Sequence, residues 1–276
     1  MEDLQRIRPA PSLGQLIKSV EIEGYVLLPG LLDEQLVQGL RRTLDRLPLK
    51  CSDYTDRQWY LHDVQWIADP FIGRAIANPR ALAFLAELFA DDILCVGASF
   101  SRSDPGYAGM PLHTDSHPYG SGILGARATS PVLVRVLCYL DELTPQHSPL
   151  RVVPASHLSL HRDAEPYRRY RAHAEEVVLT CRAGDAIVIN QRVFHGAGAN
   201  TSSSPRRMFA ATYRPAWAGP AQTMPEPDES VCRSLRQDVR KLVASPNLRT
   251  ADTSARNVTP DLPVGGPGLG PGRWER

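Results

Sequence analysis

From Ile93 onward the sequence consists of short apolar runs separated by Gly, Pro, Asp and Ser. The runs are ILCVGASFS, PVLVRVLCYL, LRVV, AIVINQRVF and RRMFAATYRP. Short strands with turn residues between them and no regular helical crossovers are typical of an antiparallel sandwich or barrel. The sequence therefore predicts a mainly β protein with flanking helices, whose core over residues 93–216 is a double-stranded β-helix, the jelly roll of cupin-like proteins.

Helical periodicity dominates residues 1–92. After a short apolar strand at 25–28, Asp33 precedes leucines at helical spacing, and Asn78 precedes a second apolar periodic stretch. Asp and Asn are favoured helix N-caps, so we expect two helices that pack against the sheet. In RQWYLHDVQWIADP, Trp59 and Trp66 are predicted either to pack in the helical core or to form a lid over a site.

The last part of the chain changes character after Trp217. DESVCRSLRQDVRKLV predicts one amphipathic helix, and residues 260–272 contain four prolines and five glycines, too little apolar surface to offset the cost of ordering. We expect a single domain over residues 1–220, followed at 221–276 by a C-terminal helix and a mobile Pro/Gly-rich tail.

The composition disfavours several classes of partner. Lys and Arg number 31 against 30 Asp and Glu, so the chain lacks the concentrated basic field that nucleic acid or an anionic membrane requires. Five cysteines without a CxxC pair favour reduced, buried thiols. No apolar run has the length of a signal peptide core or a membrane span. We expect a cytoplasmic protein that acts on a small molecule.

A histidine and a carboxylate two residues apart lie on the same side of a strand and can bind one metal ion together. With 8 His and 30 acidic residues in the chain, roughly one such pair is expected by chance. The sequence holds three, beginning at His113, His161 and His173. The last two lie in the charged segment HRDAEPYRRYRAHAEE, which indicates a solvated surface. His113 and Asp115 instead follow a strand-like run in GMPLHTDSHPYG.

His195 is the candidate for a third ligand. It ends the apolar run AIVINQRVF and enters HGAGAN, which predicts a Gly-x-Gly turn that keeps bulk away from the ligand. Two histidines and one carboxylate are the ligand set of mononuclear Fe(II) oxygenases. Eleven residues later lies Arg206, which an antiparallel strand would return to the ligands, where its guanidinium suits a dicarboxylate. Arg207 would point to the opposite face.

Arg135 interrupts the apolar strand PVLVRVLCYL and shares one face with Leu137 and Tyr139. A charge in such a strand is costly unless it is paired. Arg135 is therefore predicted either to close a structural ion pair or to bind an acidic group of a cosubstrate or substrate. If its face lines the interior, Tyr139 lines the same cavity.

Several segments of the chain occur together in one known family and in the same order. They are GYVLLPGLL, PLHTDSH, VRVLCYLDELTPQHSPLRVVPASH and RAGDAIVINQRVFHGAGANTSSSPRR. From about Gly24 to Pro215 the chain resembles the phytanoyl-CoA dioxygenase family of Fe(II)/2-oxoglutarate oxygenases. Relatives often carry PGSH where this chain has PASH, with Ala155 in place of the glycine. They also often carry NG where this chain has His147 and Ser148. We expect these two differences to alter loop shape more than chemistry.

The resemblance implies a role for each candidate. His113, Asp115 and His195 would bind Fe(II), Arg206 would bind the far carboxylate of 2-oxoglutarate, and Thr114 would contact the same cosubstrate. Dioxygen would be the oxidant. Asp115 stands where halogenating relatives carry Gly or Ala, so halogenation is disfavoured.

The expected reaction is oxidation of a small organic molecule, by default hydroxylation, with desaturation, cyclisation or epoxidation as other outcomes. Substrate contacts are expected from Arg102, Tyr107 and His117 at the pocket rim and from Tyr139. The many Ala, Arg, Gly and Pro residues fit a high-GC bacterial source, hence a role in specialised-metabolite biosynthesis. Two alternatives are a cupin-type metal enzyme that does not use 2-oxoglutarate and a non-catalytic jelly-roll module that binds a ligand.

Overall fold

The computed structural model describes residues 11–113, 133–158, 172–216 and 228–243. The helices are α1 (Leu13–Ile22), α2 (Glu34–Arg46), α3 (Pro70–Ile76), α4 (Pro79–Phe89), α5 (Glu229–Ser234) and α6 (Gln237–Val243). The strands are β1 (Tyr25–Leu28), β2 (Lys50–Cys51), β3 (Gln58–His62), β4 (Ile93–Ser103), β5 (Met110–His113), β6 (Val134–Tyr139), β7 (Leu150–Val152), β8 (Val177–Leu179), β9 (Ala186–Asn190), β10 (His195–Ala197) and β11 (Arg206–Pro215).

These strands form two antiparallel sheets. The major sheet has the order β1-β9-β6-β11-β4-β3-β2, and the minor sheet has the order β5-β10-β7-β8. One apolar cluster joins Leu137 and Tyr139 of the major sheet to Leu150 and Val152 of the minor sheet, so the two sheets face each other. The predicted jelly roll with flanking helices is confirmed.

Strand β6 shows how the sequence assigns the faces of the major sheet. Val134, Val136 and Cys138 pack in the core shared with the helices, whereas Leu137 and Tyr139 pack between the sheets. This alternation is the one predicted from the sequence, and it follows from the period of two along a strand.

The two predicted helix starts are confirmed. Asp33 Oδ1 accepts a hydrogen bond of 2.7 Å from the backbone N–H of Leu36, and Asn78 Oδ1 accepts from the N–H groups of Arg80 and Ala81. Each cap satisfies backbone donors that the first helical turn leaves without a partner.

Residues 1–92 are less helical than predicted, because β2 and β3 also lie there and join the edge of the major sheet. Trp59 lies in β3, where its Nε1–H donates to Asp104 over 2.8 Å, so it does not pack in a helical core. Trp66 packs against the helical core from a 3-10 turn. Neither tryptophan lines the cavity described below.

The predicted single C-terminal helix is wrong. The chain forms the short helices α5 and α6 instead, separated by Leu235 in an extended conformation. Leu235, Val239 and Val243 pack in the helical core. The helix is interrupted at Leu235, where the extended backbone lets this side chain be buried. The Pro/Gly-rich stretch at 260–272 lies outside the described residues.

The described cysteines are all free, and four of the five are buried. Burial raises the pKa of the Cys95, Cys138 and Cys181 thiols to about 12, so these thiols stay protonated and unreactive near neutral pH. Within the described part of the chain, no helix combines the length and apolarity needed to cross a membrane.

Asp141 fixes the start of β11 to β6 and to α2. It accepts from the backbone N–H of Arg207 at 2.7 Å and pairs with Arg41 at 2.9 Å. We predict that Asp141→Asn lowers the free energy of unfolding by about 1–3 kcal/mol, because two guanidinium groups lose a part-buried anion. Urea denaturation measures the change. The exposed Glu229→Gln is the control and is expected to stay within about 0.5 kcal/mol of wild type.

Candidate active site

His113 and His195 lie side by side although 82 positions separate them in the sequence. They are paired across β5 and β10, and their ring centroids are 4.6 Å apart. The strands approach closely because Gly196 follows His195: a Cβ there would lie 2.5 Å from the carbonyl oxygen of Met110. The sequence predicted a turn at HGAGAN, but its first three residues form β10 between β5 and β7.

Both imidazole rings are oriented by backbone carbonyls two residues earlier. The Nδ1 of His113 lies 2.9 Å from the Pro111 oxygen, and the Nδ1 of His195 lies 3.0 Å from the Val193 oxygen. A carbonyl only accepts, so Nδ1 carries the proton and Nε2 carries the lone pair that a metal ion would bind. This tautomer is the one in which Nε2 of each ring can act as a metal ligand.

A cavity of about 220 Å³ lies between the two sheets next to these histidines. None of the described residues that line it is acidic. The lining consists of Gln58, Tyr60, His62, Ser101, Tyr107, Met110, His113, Arg135, Leu137, Tyr139, Ser148, Leu150, His195, Gly196, Ala197, Arg206 and Met208. An open groove of about 750 Å³ beside Pro29 and Glu142 has no histidine in its described lining, so the inter-sheet cavity is the candidate site.

Arg206 places a buried cation in this cavity. Arg206 is 5% exposed, and within the described part of the chain its Nε has no hydrogen-bond partner. The guanidinium donates to Ser148 Oγ at 3.2 Å and lies 5.9 Å from the centre of the Tyr139 ring. Among the described residues no carboxylate pairs with it. A buried guanidinium without an anion is costly, which indicates a site for an anionic ligand.

The two adjacent arginines of β11 divide as the strand period requires. Arg206 faces the cavity, whereas Arg207 faces outward and bridges Asp141 and Asp45. Asn200 fixes the loop that leads into β11, since its side-chain amide donates to the carbonyls of Ser103 and Ser204 at 2.9 Å. The asparagine of the HGAGAN run thus positions Arg206 from a distance.

Ser148 and Ala155 both adopt the left-handed backbone region, with φ of +50° and +59°. Glycine is the residue that enters this region without a steric cost. Ala155 lies away from the cavity, but the Ser148 hydroxyl lines it and contacts Arg206. The difference at Ser148 therefore falls on the cavity lining as well as on loop shape.

The lining includes three further residues that the sequence singled out. Arg135 and Tyr139 line the cavity from β6, and Tyr107 lines it from the loop after β4. Burial raises the pKa of both phenols above their usual value, so both remain neutral at pH 7.

Arg102 does not lie at the rim as expected. It pairs with Asp104 at 2.9 Å and stacks on Trp59 at 5.3 Å, on the opposite face of β4 from Ser101. Conversely, Tyr60 and His62, which alternate along β3 and line the cavity, were not among the predicted site residues. The period-two pattern of QWYLH was the available signal, but helical neighbours on both sides obscured it.

Three candidates, Thr114, Asp115 and His117, lie outside the described residues, as does His161. His173 is exposed at a turn, where its Nδ1 accepts from the backbone N–H of Glu175, in agreement with a surface role. Within the described ranges no three His, Cys, Asp or Glu side chains converge on one point. The described part of the site therefore provides the adjacent imidazoles of His113 and His195, a ligand type suited to iron, and a separate cation that can bind an anion.

Comparison with known proteins gives the same class of chemistry. Dioxygenase andF of Emericella variicolor is 26% identical over 235 residues, which cover 75% of this chain and 76% of the relative. Two solved structures share the fold. One is the epimerase SnoN in complex with Fe³⁺, alpha ketoglutarate and nogalamycin RO (TM-score 0.63, 23% identity, 75% of this chain and 85% of that one). The other is HygX from Streptomyces hygroscopicus with nickel and 2-oxoglutarate bound (TM-score 0.62, 18% identity, 72% of this chain and 86% of that one).

The family model for phytanoyl-CoA dioxygenase matches residues 20–208. This range contains every described residue that lines the cavity, and it covers more than half of the chain. The chain belongs to the phytanoyl-CoA dioxygenase family and is an oxidoreductase of the dioxygenase class.

Proposed function

We propose that the protein is an Fe(II)/2-oxoglutarate-dependent dioxygenase that oxidises a small organic molecule. His113, Asp115 and His195 would bind the iron, and Arg206 would bind the distal carboxylate of 2-oxoglutarate. The observation that carries this proposal is the buried Arg206, which has no described acidic partner and lines the same cavity as the paired histidines.

The donor set fits both groups. Two imidazoles with Nδ1 bound to carbonyls present Nε2 to a metal ion, and Asp115 stands two residues after His113, the spacing that places both on one side of a strand. A guanidinium binds a carboxylate in a planar, two-bond arrangement. SnoN and HygX, which share this fold, have 2-oxoglutarate together with a metal ion.

When bound, iron would couple the oxidative decarboxylation of 2-oxoglutarate to oxidation of the substrate by O₂. The chain itself supplies position and environment. His113 and His195 set the place of the metal, Arg206 sets the orientation of the cosubstrate, and the neutral phenols of Tyr107 and Tyr139 provide a lining without competing anions.

Arg135 and Thr114 complete the proposed anion contacts. Arg135 lies four residues before Tyr139 on the same face of β6, a separation of about 13 Å along a strand. It therefore lies toward the opposite end of this face from the ring on which Arg206 rests. We propose that Arg135 binds an acidic group of the cosubstrate or substrate and that Thr114 contacts the cosubstrate.

The substrate class proposed is a small specialised metabolite, with bacterial metabolism as the proposed setting and the cytoplasm as the proposed location. Support comes from the apolar and aromatic part of the lining, notably Tyr60, Met110 and Leu137, and from the similarity to SnoN. Hydroxylation is the proposed outcome. Desaturation, cyclisation and epoxidation use the same ligand set and depend on how the substrate is placed.

A cupin-type enzyme that does not use 2-oxoglutarate is the second candidate, because the two histidines alone are compatible with it. Arg206 argues against it, since a buried guanidinium with no described carboxylate partner suits a dicarboxylate cosubstrate. A non-catalytic binding module would require loss of a metal ligand, and His113, Asp115 and His195 are all present in the sequence.

Succinate formation tests the proposal. The purified protein with Fe(II), 2-oxoglutarate and O₂ is expected to form succinate slowly, and small molecules that act as substrates are expected to stimulate it. Stimulation of succinate release across a set of apolar metabolites would also identify the substrate class. If 2-oxoglutarate is not consumed under any of these conditions, while iron is bound, the second candidate is favoured.

A further inference from the structure

We infer that Ser148 is a cosubstrate-binding residue: its hydroxyl completes, together with Arg206, the pocket for the distal carboxylate of 2-oxoglutarate. The inference rests on the proposed function and assigns a residue that the sequence pattern did not. The juxtaposition that carries it is a buried hydroxyl 3.2 Å from a buried guanidinium that has no carboxylate partner among the described residues.

The backbone of Ser148 is held in a conformation that serine does not favour. Its φ is +50°, and its N–H donates to the carbonyl of Ala199 over 3.1 Å. The residue is 1% exposed, so the side chain has no alternative orientation toward solvent. A non-glycine residue in this region is strained and persists where the surroundings enforce it. Such strain is often found where a side chain has a function.

The hydrogen bonds that the hydroxyl can form indicate which kind of ligand it would bind. Ser148 Oγ accepts from Arg206 Nη2, and among the described residues no acceptor receives the hydroxyl hydrogen. Arg206 Nε likewise has no acceptor. The Ser148 hydroxyl and the Arg206 Nε–H are therefore two buried donors for which the described residues provide no acceptor. A carboxylate, which only accepts and can accept several bonds, satisfies both.

Three variants separate this role from a structural one. Ser148→Ala removes the hydroxyl and keeps the backbone strain, whereas Ser148→Gly removes the hydroxyl and the strain together. Ala155→Gly is the matched control, because it relieves the same left-handed strain at a residue that does not line the cavity. Isothermal titration of Ni(II)-loaded protein with 2-oxoglutarate gives Kd without turnover, and thermal unfolding gives Tm.

We expect Ser148→Ala and Ser148→Gly to raise the Kd for 2-oxoglutarate about tenfold, the usual effect of losing a hydrogen bond to a charged group. We expect Tm of Ser148→Gly to equal or exceed that of wild type by up to about 3 °C, as for Ala155→Gly. Ala155→Gly is expected to keep the wild-type Kd.

Two results would overturn the inference. One is a Kd within twofold of wild type in both Ser148 variants, and the other is weakened binding in Ser148→Ala that Ser148→Gly restores, since backbone strain would then be the cause. Arg206→Met, titrated alongside, separates this failure from failure of the proposed function. An unchanged Kd for 2-oxoglutarate in Arg206→Met would show that 2-oxoglutarate does not bind in this pocket.

Discussion

Replacing Arg206 with methionine is expected to weaken 2-oxoglutarate binding at least about 100-fold while leaving the unliganded protein as stable as wild type or more stable. The guanidinium is 5% exposed and has no described carboxylate partner, so in the unliganded state it is a desolvated charge. Methionine fills much of the same volume without that cost. Loss of binding would thus come without loss of folding.

The neighbouring arginine provides the control for this prediction. Arg207→Met removes the same charge from the opposite face of β11, where the guanidinium pairs with Asp141 and Asp45. It is expected to keep the wild-type Kd for 2-oxoglutarate and to lower the stability modestly. Kd by titration and urea denaturation are measured for both variants. Equal Kd values for wild type and Arg206→Met would contradict the assignment.

Replacing His195 with alanine is expected to abolish 2-oxoglutarate turnover and to weaken Fe(II) binding more than about 100-fold. Loss of a residue that only hydrogen-bonds to a metal ligand costs roughly 10–100-fold in metal affinity, and loss of a ligand itself costs more. The ring is buried and its centroid lies 4.6 Å from that of His113, so its removal leaves His113 without the adjacent imidazole. Succinate formation and equilibrium dialysis against Fe(II) measure the two effects.

The exposed His173 is the matched control for this second prediction. It also precedes an acidic residue by two positions, but it lies at a surface turn. His173→Ala is expected to keep wild-type metal binding and turnover. A loss of activity as large as that in His195→Ala would show that the wrong His-x-acid pair has been assigned.

Local patterns in the sequence predicted much of the fold. The alternation of side chains along β6 placed Arg135, Leu137 and Tyr139 on one face. The same alternation along β11 placed Arg206 and Arg207 on opposite faces. Asp33 marked a helix start through its capping preference. These features depend on a few adjacent residues, which is why they can be read without knowledge of the rest of the chain.

Features that depend on distant pairing were not predictable in this way. Strand β3 was hidden between helical stretches, and its partner β4 lies some 40 residues later. Arg102 looked like a rim residue until its pairing with Asp104 and Trp59 was known. The N–H of Ser148, whose backbone is left-handed, donates to the carbonyl of Ala199, and a contact between residues so far apart leaves no local sequence signal.

We propose that one cavity binds a metal ion at the paired histidines and 2-oxoglutarate at Arg206. Anaerobic titration of the wild-type protein with Fe(II) and then with 2-oxoglutarate tests whether both bind at this site. A visible metal-to-ligand charge-transfer band that requires both components, and that is lost in Arg206→Met at the same cosubstrate concentration, is the predicted result. Absence of that band with Fe(II) bound at saturating 2-oxoglutarate would contradict the account.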